Sequence, residues 1–138
     1  MIGVPTSPTR QFANERVGAL LDQTAFQLAN LVRTGDEEAV HKLRVSIRRL
    51  QQALRLFGQY FDEANVRKLR KQLRELMRAA AEVRNRDVAG ALLAKLGASP
   101  QLQERLEAER REWMLELRVL ARMRAPSGPK WRTRLQVN

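Results

Sequence analysis

Apolar residues along this chain recur every three or four positions and never in strict alternation with polar ones. Leu43, Ile47, Leu50, Leu54 and Phe57 form one such series. Val66, Leu69, Leu73, Leu76, Ala80 and Val83 form a second, and Leu102, Leu106, Trp113, Leu117 and Leu120 a third. This spacing puts each set on one face of an α-helix. The residues between them are mostly Ala, Arg, Glu and Gln, which favour helix, while β-branched residues are too sparse to build strands. The pattern predicts helices over 9–33, 36–60, 63–95 and 100–124, preceded by a leader, 1–8, and followed by a basic tail, 125–138.

Local chemistry supports these boundaries. Ser99 before Pro100 is an N-cap followed by proline at the first helical position. Asp36, Glu37 and Glu38 place negative charge at the positive end of the second helix. Asp62 is placed to cap the third helix, and Gly97 to end it. Short links between amphipathic helices favour antiparallel neighbours. The expected fold is therefore all-α, an antiparallel four-helix bundle, with Phe12, Phe26 and Trp113 read as core.

Composition narrows the function. The 138 residues contain no cysteine, which removes disulfides and thiolate metal sites and fits a reducing, cytoplasmic setting. No run of 18 apolar residues is present, so no membrane span is expected. The opening residues lack a basic stretch followed by an apolar core, so no secretory signal is expected. Lys and Arg number 26 against 15 Asp and Glu, a net charge of +11. Such a charge attracts anions, but only its distribution identifies a site.

At about 100° per residue, His41, Arg44, Arg48 and Arg55 share a sector about 60° wide on the second helix, beside the apolar stripe, with Gln51 and Gln52 on its edges. No acidic residue occurs between His41 and Phe61. Like charges four residues apart oppose helix formation, and a face that merely meets water interleaves Glu with them. On the third helix Arg67, Arg70, Lys71, Arg74 and Arg78 fill a sector of roughly 100°, with Glu75 and Glu82 outside it. Two such flanks side by side make one electropositive groove. Arginine suits it, because its planar fork donates two parallel hydrogen bonds to phosphate. Proteins that hold single-stranded nucleic acid interleave aromatic residues with the basic ones. Here Phe57, Tyr60 and Phe61 cluster at a helix end, outside the two sectors, so a polyanion without bases fits better.

The segment EAVHKLRVSIRRLQQALRLF, 38–57, resembles the opening motif of the CHAD family, the conserved histidine α-helical domain. Val40, His41, Arg44, Val45, Arg48, Arg49, Leu50, Leu54 and Phe57 carry the likeness. Arg84, Asp87 and Val88 resemble the family's second signature, R-D-x-D-V. The likeness covers residues 10–124. It implies a helical domain that binds inorganic polyphosphate through basic residues and associates with polyphosphate granules. By this resemblance His41, Arg44, Arg48 and Arg49 are binding residues. Arg55, Arg67, Arg70, Lys71, Arg74 and Arg78 are added from the helical wheel alone. Gln51 stands where the family usually has arginine, and Asn85 replaces the first aspartate of the second signature. The usual CHAD domain has two similar four-helix halves, and this chain has room for one. The implied repair is a twofold homodimer, for which Leu115, Val119 and Met123, opposite the core stripe of the fourth helix, offer a surface.

Other chemistry is poorly supported. His41 is the single histidine, and Ser7, Ser46, Ser99 and Ser127 are the serines; none is spaced to form a nucleophile–base pair with it. Glu38 and His41 make a Glu-x-x-His pair, but a di-iron bundle needs two such pairs and two further glutamates. Neither catalysis nor a metal or other cofactor is expected. The rival reading is a dimeric scaffold whose basic faces contact acidic proteins or nucleic acid nonspecifically. Arg84 and Asp87, on the apolar side of the third helix, are expected to form an ion pair or an interface contact. The tail, with Lys130, Trp131, Arg132 and Arg134, is too short to fold alone. It is expected to add affinity for an anion or to dock on a partner chain through Trp131.

Overall fold

The computed structural model describes residues 7–125 and 128–137. Its elements are α1 (Pro8–Thr34), α2 (Glu37–Phe57), a single 3-10 turn (Gly58–Tyr60), α3 (Glu63–Lys95), α4 (Pro100–Arg124) and α5 (Gly128–Leu135). The described residues contain no strand. The protein is all-helical. Most of the leader lies outside the described residues, but Ser7 and Pro8 belong to the first helix as its cap and first residue.

Each long helix begins where a side chain satisfies a free backbone amide. Ser7 Oγ accepts from Arg10 N at 3.1 Å, and Asp36 Oδ1 accepts from Ala39 N at 2.8 Å. Asp62 Oδ2 accepts from Asn65 N at 3.0 Å, and Ser99 Oγ from Leu102 N at 3.3 Å. Gly35 and Gly97 follow the ends of α1 and α3 with φ of 64° and 67°, the left-handed conformation that only glycine adopts without strain. At Gly35 a Cβ would also collide with the Arg118 guanidinium.

α1 packs on α2 and α4, and α3 packs on α2 and α4. The core between them is built from Leu20, Leu21, Leu28 and Leu31 of α1, and Leu43, Ile47, Leu50 and Leu54 of α2. Leu69, Leu73, Leu76 and Val83 of α3 and Met114, Leu117 and Ala121 of α4 complete it.

The tail departs from expectation. α5 packs on α1 and α3, the same two helices that α4 contacts. α4 ends beside Glu75, whose Oε2 is 3.7 Å from Arg124 Nη2. α5 then lies along the opening turns of α3: Trp131 Nε1 donates to Gln72 Oε1 at 2.8 Å, and Asn65 Nδ2 donates to Arg134 O at 2.9 Å. Trp131 is 2% exposed. It therefore docks on its own chain, not on a partner, because α4 leaves the α1–α3 crevice open there and the largest apolar side chain of the tail fills it.

Three core assignments also change. Phe12 and Phe26 are exposed, at 50% and 65%, and Trp113 is only partly buried. Phe26 falls roughly 160° around α1 from Leu28, so burying one exposes the other. On α4 the buried positions are Met114, Leu117 and Ala121, while Leu102 is exposed. No residue from Arg84 to Trp113 is fully buried.

Candidate anion-binding groove

The groove between α2 and α3 follows from how each helix spaces its arginines. In the hollow nearest the α2–α3 link, Arg55 of α2 meets Arg67, Arg70 and Arg74 of α3, over a volume of about 460 Å³. Phe61 supplies partly exposed apolar wall, the core residues Leu54 and Val66 lie behind it, and Gly58, Gln59 and Glu63 complete the lining. An adjoining hollow of about 260 Å³ is lined by Gln51, Arg55, Arg70 and Arg74.

Arg70 is held by a specific bond: its Nη2 donates to Leu54 O at 2.8 Å. The last carbonyls of a helix have no partner within it and carry its negative end. Leu54 O already accepts from Gly58 N, so Arg70 adds a second donor at this negative end, which fixes the direction of the guanidinium and keeps further donors for a ligand. Arg67 lies 3.3 Å from Glu63, an exposed pair that water screens heavily. Among the described residues, no carboxylate lies within 4 Å of His41, Arg44, Arg48, Arg49, Arg55, Arg70, Lys71, Arg74 or Arg78.

Farther along, Arg44 approaches Arg48 and Arg84. Burial first, then these two positive neighbours, holds the Arg44 guanidinium below its ordinary pKa. Arg44 Nε is buried without a hydrogen-bond partner. Like charge gathered in a partly desolvated place, with no counter-charge, opposes folding and favours an anion.

Arg84 was not among the expected groove residues. The expected partner of Asp87 was Arg84; the structure instead pairs Asp87 Oδ1 with Arg110 Nε, across from α3 to α4. That leaves Arg84 near Arg44, whose pKa its charge lowers. The signal was in the spacing: Arg84 comes 14 residues after Arg70, close to four whole helical turns at about 3.6 residues each. Phe61 was missed for a different reason. It lies outside both helical sectors, and the 3-10 turn folds it back into the groove wall.

The other expected residues do not converge on the hollows. His41, Arg49, Lys71 and Arg78 are exposed and line neither of them. Arg49 sits roughly 140° around α2 from Arg44, on the opposite flank of the core stripe. His41 lies one turn before Arg44, and Lys71 and Arg78 lie on the solvent side of the α3 stripe.

Arg55, Arg70 and Arg74 thus line one groove of an all-helical chain with no carboxylate within 4 Å of them among the described residues. Comparison with known families supplies the identification: residues 15–133 match the CHAD domain, and the chain belongs to the CHAD domain family, which is associated with polyphosphate binding. The match extends past the expected limit of residue 124 into α5. No curated protein and no solved structure matches the chain.

Proposed function

We propose that this chain binds inorganic polyphosphate, or a polyanion of the same chemistry, along the α2–α3 groove, without catalysing a reaction. The observation that carries this reading is the run of arginines from Arg55, Arg70 and Arg74 to Arg44, Arg48 and Arg84, in which the one lining carboxylate, Glu63, is already engaged by Arg67. In this reading α2 and α3 run antiparallel, as members of a four-helix bundle. That direction sets Arg55 beside Arg70 at one end and Arg44 beside Arg84 at the other. From Arg44 to Arg55 the row spans about 16 Å at 1.5 Å per residue. Arg49, His41, Lys71 and Arg78 add a more distant field that steers the polymer inward. A hydrolase for phosphate chains needs carboxylates free to hold a divalent metal beside the anion, and the groove offers none beyond Glu63. A cytoplasmic location at polyphosphate granules follows if the groove works this way.

The experiment is a calorimetric titration with long-chain polyphosphate, repeated with single- and double-stranded nucleic acid as competitors. Polyphosphate binding that nucleic acid displaces poorly at equal phosphate concentration supports the reading. Equal displacement supports nonspecific contact with polyanions instead.

The chain is also proposed to pair as a twofold homodimer. Val88 and Leu92 on α3 and its C-cap Leu96 recur every fourth position and are exposed, as are Leu115, Val119 and Met123 on α4. Segment 84–113 has six basic and five acidic residues, so a second copy meets little net repulsion there. A patch of mixed sign can oppose itself across a twofold axis.

A further inference from the structure

We propose that the closed end of the groove accepts a nucleoside polyphosphate, with the phosphates on the guanidinium groups and the base against Phe61. This inference rests on the reading of the groove as a phosphate site. A bare phosphate chain has no apolar surface to bury, yet this end of the groove sets the partly exposed ring of Phe61 beside four arginines. The combination matches a ligand that is charged at one end and flat and apolar at the other.

Size and shape narrow the class. The hollow of about 460 Å³ lies within the range of small-ligand sites, about 300–1,000 Å³. A single aromatic ring lines it, which suits one base, whereas single-stranded nucleic acid needs a series of stacking rings. Tyr60 and Phe57, the neighbouring rings, are engaged elsewhere: Arg10 stands 5.8 Å from the Tyr60 ring centre, and Phe12 and Phe57 have ring centroids 5.7 Å apart. Gln59 is exposed on the same wall, and its amide offers both a donor and an acceptor to a base edge.

The test compares adenosine triphosphate with inorganic tripolyphosphate by calorimetry in metal-free buffer. Tripolyphosphate has as many phosphates and at least as much charge, so any preference for the nucleotide comes from the nucleoside. The nucleotide is expected to bind about tenfold more tightly, from stacking of one base. Phe61→Leu keeps an apolar side chain but removes the ring, and removes most of that preference while tripolyphosphate affinity stays within about twofold. Gln59→Ala, at an exposed position with no packing role, lowers nucleotide affinity selectively by a few fold. The proposal is overturned if tripolyphosphate binds as tightly as the nucleotide, or if both variants keep the preference. It is also overturned, with the groove reading intact, if long-chain polyphosphate binds and neither small compound does. If no phosphate compound binds, the groove reading itself fails and this proposal with it.

Discussion

Arg70 of α3 reaches across to α2 and donates to the carbonyl of Leu54 at 2.8 Å. One side chain thus ties the two groove helices together and presents its remaining donors to the hollow. Arg70→Lys keeps the charge but loses the fork. It is expected to weaken polyphosphate binding and to lower stability by about 1 kcal/mol, the usual net worth of such a bond. Arg78→Lys, on the exposed rim, is expected to change neither by a measurable amount. Calorimetric titration and urea unfolding of the two variants check this.

Arg44 is expected to trade stability for binding. A depressed pKa on a cation means that the folded chain holds that proton less tightly than the unfolded chain. Its charge therefore opposes folding at every pH below the depressed value, neutral pH included, and the opposition fades only as pH rises through that value. Arg44→Met is predicted to stabilise the free protein at pH 7 by a few tenths of a kcal/mol and to weaken polyphosphate binding. Thermal unfolding with and without polyphosphate should show a larger ligand-induced rise in Tm for the wild type than for the variant.

Trp131 supports the fold from the side away from the groove. Trp131→Ala is predicted to destabilise by about 3–5 kcal/mol, the range for losing a buried large aromatic. Trp131→Phe strands the buried Gln72 acceptor and should lose about 1–3 kcal/mol. Polyphosphate affinity of the folded fraction should not change in the Phe variant, because α5 contacts α1 and α3 rather than the α2–α3 groove. Chemical denaturation followed by titration below the transition separates the two effects.

Much of this architecture was legible in the chain because helix signals are local. Asp36, Asp62 and Ser99 each satisfy an amide three residues on, and Gly97 stands where the backbone turns left-handed after α3. The arginine rows of α2 and α3 can be phased from spacing alone, which places Arg55, Arg70 and Arg74 on facing flanks. What was not legible depended on tertiary partners. α5 is eight residues long, too short to hold as a helix by propensity; it exists because Trp131 has a crevice to fill. Phe26 was read as core because aromatic residues usually are, but the phase set by Leu28 turns it outward. The pairing of Asp87 with Arg110 joins residues 23 positions apart, and no local pattern announces it.

Self-association is tested by light scattering over a concentration series. The wild type is expected to give twice the monomer mass, and Leu92→Glu, at a side chain 55% exposed, to give a monomer with unchanged helical content. A wild type that stays monomeric at high concentration contradicts the pairing. A dimer that survives Leu92→Glu but is broken by Val119→Glu moves the interface to the outer face of α4.

The central claim is that phosphate chains are held by a particular groove and not by net charge. Two triple variants of equal charge decide it: Arg55→Gln, Arg70→Gln and Arg74→Gln together, against Arg16→Gln, Arg111→Gln and Arg122→Gln at exposed positions outside the groove. In a polyphosphate titration at fixed salt, the groove triple is predicted to lose at least about 100-fold in affinity, from three charge-assisted contacts of about 1.5 kcal/mol or more each. The exposed triple should lose less than about threefold, the scale of screened, distant charge. Equal losses in the two variants would contradict the claim.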